Sequence, residues 1–208
     1  MEKQLLREYS LFNYDKQSIE ESIAKNNGRL IVSGLLQRAN AKNWNGRKYP
    51  KLVLERECER YIREEIAQRR ALGELDHPDS NIVNLKNVSH NILEIWWEGD
   101  GLYGKVEILS TPSGNILKEL FRSGIAVGIS SRGMGSVKTL YEDDGDYTME
   151  VQPDFELVCW DFVSNPSTHN AFMNPVNESK MSAQTNIYNK QDMLIHDILC
   201  TMSGNCCI

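Results

Sequence analysis

Two short segments of the chain hold the residue types of acyl-transfer chemistry, one around His77 (Gly73 to Pro78) and one around Ser130 (Val127 to Ser136). A serine hydroxyl attacks poorly at neutral pH, so this chemistry needs an imidazole to take its proton and donors to hold the oxyanion. His77 offers the base and Ser130 the alcohol. Gly128, Gly133 and Gly135 leave room for a close backbone approach, and Arg132 could bring its guanidinium or its N–H near developing negative charge. The serine segment reads as an apolar strand, Ile125 to Ile129, entering a turn of small residues. It narrowly misses the G-x-S-x-G nucleophile elbow, and Val137, Thr139 and Tyr141 after it read as another strand where the elbow needs a helix, which disfavours an α/β-hydrolase. An ordinary hairpin turn with solvated serines is an equally open reading of this segment alone. Pro78 pushes His77 toward extended geometry and stiffens its loop, although a lone histidine is more often a surface or satisfied core residue. The other histidines, His90, His169 and His196, lie in polar surroundings without comparable punctuation.

The motifs GELDHP, SSRG and, further on, DFVSNPS (Asp161 to Ser167) resemble, in that order, the prohead core proteases of tailed bacteriophages, the T4-like prohead protease family. The similarity takes in Gln37 to Ile62 and the stretch Ile92 to Leu109 with its paired Trp96 and Trp97, and it covers residues 30–175. The resemblance implies a serine endopeptidase that cuts phage scaffold, core and capsid proteins inside the assembling prohead, in the host cytoplasm. It also implies kinship in fold with the herpesvirus assembly proteases, hence an α+β fold with a mostly antiparallel β-barrel surrounded by helices. By position, His77 matches the family's histidine and Ser130, first of the two serines, its nucleophile. Strand alternation sends Ser130 and Ser131 to opposite faces, so one of them alone can meet His77.

The third member of the triad is less tightly specified. Asp161 in the apolar run Leu157 to Val163 is the first choice, because a buried carboxylate is costly without a partner and an imidazole N–H supplies one. A solvent-facing strand position is the competing reading, but Trp160 and Phe162 on either side are both apolar. The herpesvirus relatives use a second histidine, which makes His169 the second choice. Asp76 and Asp79 stand too near His77 in sequence and suit a capping role in its loop. Oxyanion donors are sought near Arg132 or in the loop Ser164 to Ser167. Family members prefer glutamate before the cut and an aliphatic residue two places further back; Leu6-Arg7-Glu8 and Leu72-Gly73-Glu74 carry those letters and are candidate self-cleavage sites.

The elements that must position these groups follow from periodicity and punctuation. Residues 1–28 are polar and read as a flexible arm, residues 29–175 as the protease domain, and residues 176–208 as a polar linker and tail. Leu30 to Leu36 reads as a strand. Leu54, Cys58, Tyr61, Ile62 and Ile66 recur at helical spacing after Pro50, in a helix ending near Arg70 just before the His77 loop. Ile92 to Trp97 and Leu102 to Leu109 read as a hairpin about Gly99-Asp100, with the tryptophans as core and rim packing. Thr111-Pro112 opens a helix with Ile116, Leu117, Leu120 and Phe121 on its apolar face, stopped by Gly124. Asp143 to Asp146 marks a hairpin turn and lacks the ligand spacing of a calcium loop. In the tail, Met193, Leu194, Ile198, Leu199 and Met202 read either as an amphipathic docking helix or as a frayed end.

Composition excludes several classes. The 208 residues suffice for one sizeable core, and 23 basic against 29 acidic residues give a net charge of −6, with no electrostatic footprint for nucleic acid. No apolar run reaches membrane-spanning length, and the first residues lack a signal-peptide pattern. The five cysteines at 58, 159, 200, 206 and 207 form neither a C-x-x-C pair nor a zinc-ligand cluster, so they read as reduced thiols and no metal or cofactor is called for. A homo-oligomer is expected by analogy, because the herpesvirus enzymes act as dimers. The competing function is a non-catalytic scaffold or core component that keeps the protease fold.

Overall fold

Strand-forming runs bounded by glycine and proline generate the β-structure, and helices cover it. A computed structural model describes residues 4–11, 16–125, 127–141, 146–164 and 173–175, all within the unit Met1–Val176. In chain order the elements are β1 (Gln4–Leu11), α1 (Lys16–Lys25), β2 (Leu30–Arg38), β3 (Arg47–Lys48), α2 (Lys51–Tyr61), β4 (Leu72–Glu74), β5 (Val88–Glu98), β6 (Gly101–Ile108), α3 (Pro112–Arg122), β7 (Gly128–Gly135), β8 (Val137–Tyr141), β9 (Tyr147–Val151), β10 (Glu156–Val163) and β11 (Met173–Pro175). A five-stranded sheet has the order β11-β2-β6-β5-β4, and two three-stranded sheets have the orders β1-β7-β10 and β3-β9-β8. Pairing is antiparallel except between β3 and β9.

The α+β class and antiparallel pairing agree with expectation, but the described strands do not close into a barrel. The reason is local. β4 is three residues long, and beyond it a single parallel bridge, Leu75 to Phe162, reaches β10 before the chain turns away at Asp76 with φ 71°. That turn carries the site.

Several boundaries differ from the sequence reading. Residues 1–28, expected as an arm, contain β1 and α1, and Ile19 and Ser22 of α1 are buried. The helix expected to run to Arg70 starts one residue later than Pro50, which is its N-cap, and gives way after Tyr61 to a π-helical turn, Ile62–Ile66. Ser130 and Ser131 lie inside β7, where a turn was expected. The glycines there serve packing. A Cβ at Gly133 would stand 2.5 Å from Phe155 Cε2, and one at Gly135 2.9 Å from the Phe155 Cα. The turn between β8 and β9, His169, part of the Ser164 to Ser167 loop and the expected tail helix lie outside the described residues.

The core gathers around β10, whose residues Cys159 to Val163 are all buried. Tyr61 of α2 meets Trp160 edge-on at 5.1 Å between ring centroids, and Phe121 of α3 meets Phe162 at 5.5 Å. Two helices thus press on the face of β10 that carries Trp160 and Phe162, leaving Asp161 on the other face. Thr111 caps α3 by accepting from the Gly114 N–H at 3.0 Å, and its hydroxyl also donates to the Val88 carbonyl.

Candidate active site

In the β7–β10 register Ser130 stands directly opposite Asp161. Opposed residues of an antiparallel pair share a face, so the hydroxyl and the carboxylate are neighbours before any loop is considered. The loop after β4 then lays His77 across them. His77 Nδ1 is 2.8 Å from Asp161 Oδ2, and Nε2 is 2.5 Å from Ser130 Oγ. An ionised carboxylate only accepts, which assigns the imidazole hydrogen to Nδ1 and leaves Nε2 to accept from the serine hydroxyl.

The loop is anchored through Asp76. The Asp76 N–H donates to the Phe162 carbonyl at 2.7 Å, and Asp76 Oδ1 accepts from the His77 N–H at 2.9 Å. Aspartate tolerates the left-handed conformation required here better than most residues. The capping role expected for Asp76 is met. Ser131, on the opposite face of β7, is buried, and its hydroxyl has no hydrogen-bond partner among the described residues.

Asp161 is held by more than His77. Its Oδ1 accepts from the Glu74 N–H at 2.9 Å, from Arg132 Nη2 at 3.2 Å and from the Cys159 thiol at 3.3 Å, while Arg132 Nε sits 2.8 Å from Oδ2 in an ion pair. Burial pushes the Asp161 carboxyl up, but the His77 hydrogen bond, the Arg132 charge and the Glu74 N–H outweigh it and hold the group below the usual aspartate value. Burial also works against the Arg132 charge; the Asp161 and Glu74 carboxylates outweigh that, so the guanidinium stays charged. Burial and the Asp161 charge push the Cys159 thiol well up, so it remains a donor.

Of the expected residues, His77, Ser130 and Asp161 come together. Arg132 does not play the part foreseen for its guanidinium. It is fully buried and bonds Asp161, Glu74 Oε1 at 2.9 Å and the Ser80 carbonyl at 2.7 Å. Ser130 and Arg132 are two apart on one strand and so face the same way, which put the guanidinium beside Asp161. Sequence reasoning missed Glu74, Cys159 and this second role of Arg132. The signal was present in one acid and one base lying within otherwise small or apolar motifs. Leu72-Gly73-Glu74, raised as a cleavage site, is paired with β5, with Gly73 and Glu74 buried. Leu6-Arg7-Glu8 lies in β1.

The known proteins that this chain resembles are proteases of the phage prohead. Residues 15–181 match the family model described as prohead core protein serine protease. The chain is 34% identical over 149 residues to the prohead core protein protease of Enterobacteria phage T4, covering 70% of this chain and 68% of that protein. It also superposes on the solved capsid assembly protease of bacteriophage T4 with a TM-score of 0.67 at 26% identity, covering 80% of this chain and 100% of that one.

Proposed function

The chain belongs to the prohead core protein serine protease family and is a protease of the phage prohead; on that premise we propose that it is a serine endopeptidase whose catalytic residues are Ser130, His77 and Asp161. The observation that carries the reading is the unbroken chain Asp161–His77–Ser130, with contacts of 2.8 and 2.5 Å. His77 Nε2 takes the Ser130 proton as Oγ attacks the scissile carbonyl. Asp161 holds the imidazole in the required tautomer and stabilises the imidazolium that forms. The imidazolium then protonates the leaving amine, and water, activated by the same nitrogen, hydrolyses the ester.

The substrates in this reading are scaffold, core and capsid proteins of the prohead, with self-cleavage in addition. In this reading the protease domain takes in β1 and α1 and runs to residue 175, with the tail 176–208 serving docking. The relation in fold to the herpesvirus assembly proteases and the formation of a homo-oligomer belong to the same reading.

Three full-length variants test it against the phage's scaffold and capsid proteins. Ser130→Ala should abolish cleavage, Ser131→Ala should retain it, and Asp161→Asn should lower kcat by about 10⁴. Cleavage that survives Ser130→Ala and disappears in Ser131→Ala would reverse the nucleophile assignment. An undiminished kcat in Asp161→Asn would return the third role to His169.

A further inference from the structure

A protease must hold its substrate extended at the nucleophile, and an exposed strand edge does this through backbone hydrogen bonds that are indifferent to most side chains. β7 carries Ser130 and has two edges. One is paired with β10, which supplies Asp161 and cannot leave without dismantling the triad. The other edge is therefore the one open to a peptide, and in this structure it is filled by β1, which lies antiparallel over its whole length from Gln4 opposite Gly135 to Leu11 opposite Gly128. Tyr9 stands opposite Ser130 and Glu8 opposite Ser131. Ser130 is fully buried in this arrangement.

We propose that the β7 edge distal to β10 is the seat for extended peptide substrates, and that β1 is its occupant in cis, presenting the Glu8–Tyr9 bond to Ser130. The inference rests on Ser130 as the nucleophile. The register selects the bond, since the residues paired with Ser130 and Ser131 are the two that flank it. It also fixes polarity: residues before the bond run along Arg132 to Gly135 and those after it along Ile129 and Gly128, so a substrate in trans enters with the same direction. α1, four residues further on and seated in the core through Ile19, tethers the occupant at a high local concentration.

Cleavage in cis follows the same chemistry. Ser130 Oγ bonds to the Glu8 carbonyl carbon as its proton passes to His77, the C–N bond to Tyr9 breaks, and the His77 proton leaves with the Tyr9 amine. Water then releases residues 1–8 with a Glu8 carboxylate and restores Ser130. The residual strand, Tyr9 to Leu11, keeps three of its eight pairings, and the edge opens.

The test separates binding from catalysis. In full-length Ser130→Ala, proline is placed at position 6 or 7 (Leu6→Pro, Arg7→Pro). Alternate residues of a strand direct their N–H to a given neighbour, so one of these two changes removes a ladder donor. A fluorescent peptide with the sequence of residues 4–11 should bind at least one variant about tenfold more tightly than the Ser130→Ala parent. Equal binding by all three proteins, or binding by none, overturns the proposal. Mass spectrometry of the wild-type chain should give a product beginning at Tyr9 that Ser130→Ala lacks; an intact Glu8–Tyr9 bond in a chain that cuts scaffold protein overturns the register. Should Ser130→Ala itself cut scaffold protein, the catalytic assignment fails, whereas the peptide titration still reports on the edge.

Discussion

Asp161 illustrates how a buried charge is kept useful. Each of its oxygens has partners, and the pair with Arg132 is fully buried on both sides. Removing one member of such a pair strands the other in a medium that solvates it poorly. Arg132→Met should therefore lower stability by about 3–5 kcal/mol, read from urea unfolding, because it leaves both Asp161 and Glu74 without their cation. Ser130→Ala, one turn of pleat away, should unfold close to wild type. Equal stability of the two variants would mean that the guanidinium is not what compensates these carboxylates.

At the scale of elements, β4 approaches β10 so closely that no side chain fits between them. A Cβ on Gly73 would stand 2.0 Å from the Trp160 carbonyl oxygen and 2.3 Å from His90 Nε2. Gly73→Ala should force β4 outward and draw the Glu74 N–H off Asp161. Overpacking of this kind costs about 1–3 kcal/mol or more, and kcat should fall with it, measured on the same preparation. A Gly73→Ala protein with wild-type stability and turnover would show that β4 can shift freely. The grouping of His77, Ser130 and Asp161 was legible in the sequence because GELDHP, SSRG and DFVSNPS are dense in chemistry and keep their order. The strand holding Ser130 was not, because glycine and serine usually announce turns, whereas Gly133 and Gly135 are small to admit Phe155. β1 was hidden for a different reason: its ladder partner lies more than a hundred residues away, and nothing in Gln4 to Leu11 alone announces it.

For the whole molecule, acid should act through buried groups held away from their ordinary values. Burial pushes the His90 imidazole down from 6.5 to about 4, with Asp161 and the Trp160 carbonyl opposing it. Between those values the unfolded chain binds a proton that the folded chain refuses, so stability falls as pH drops from about 6.5 to 4, by roughly 3 kcal/mol in all. Asp161, held low, contributes stability above the ordinary aspartate value that disappears as pH falls through its own. Urea midpoints at pH 7, 5 and 4 should trace the first loss, and His90→Gln should flatten it; an equally steep profile in that variant would move the cause elsewhere. Cys159 adds a last consequence. Its sulfur is sealed against the Asp161 carboxylate, protonated and shut off from solvent, so alkylating reagents can reach it only when the sheet around Ser130 breathes. The protein thereby carries its own clock for the opening of its centre, wound by nothing but the thiol's seclusion.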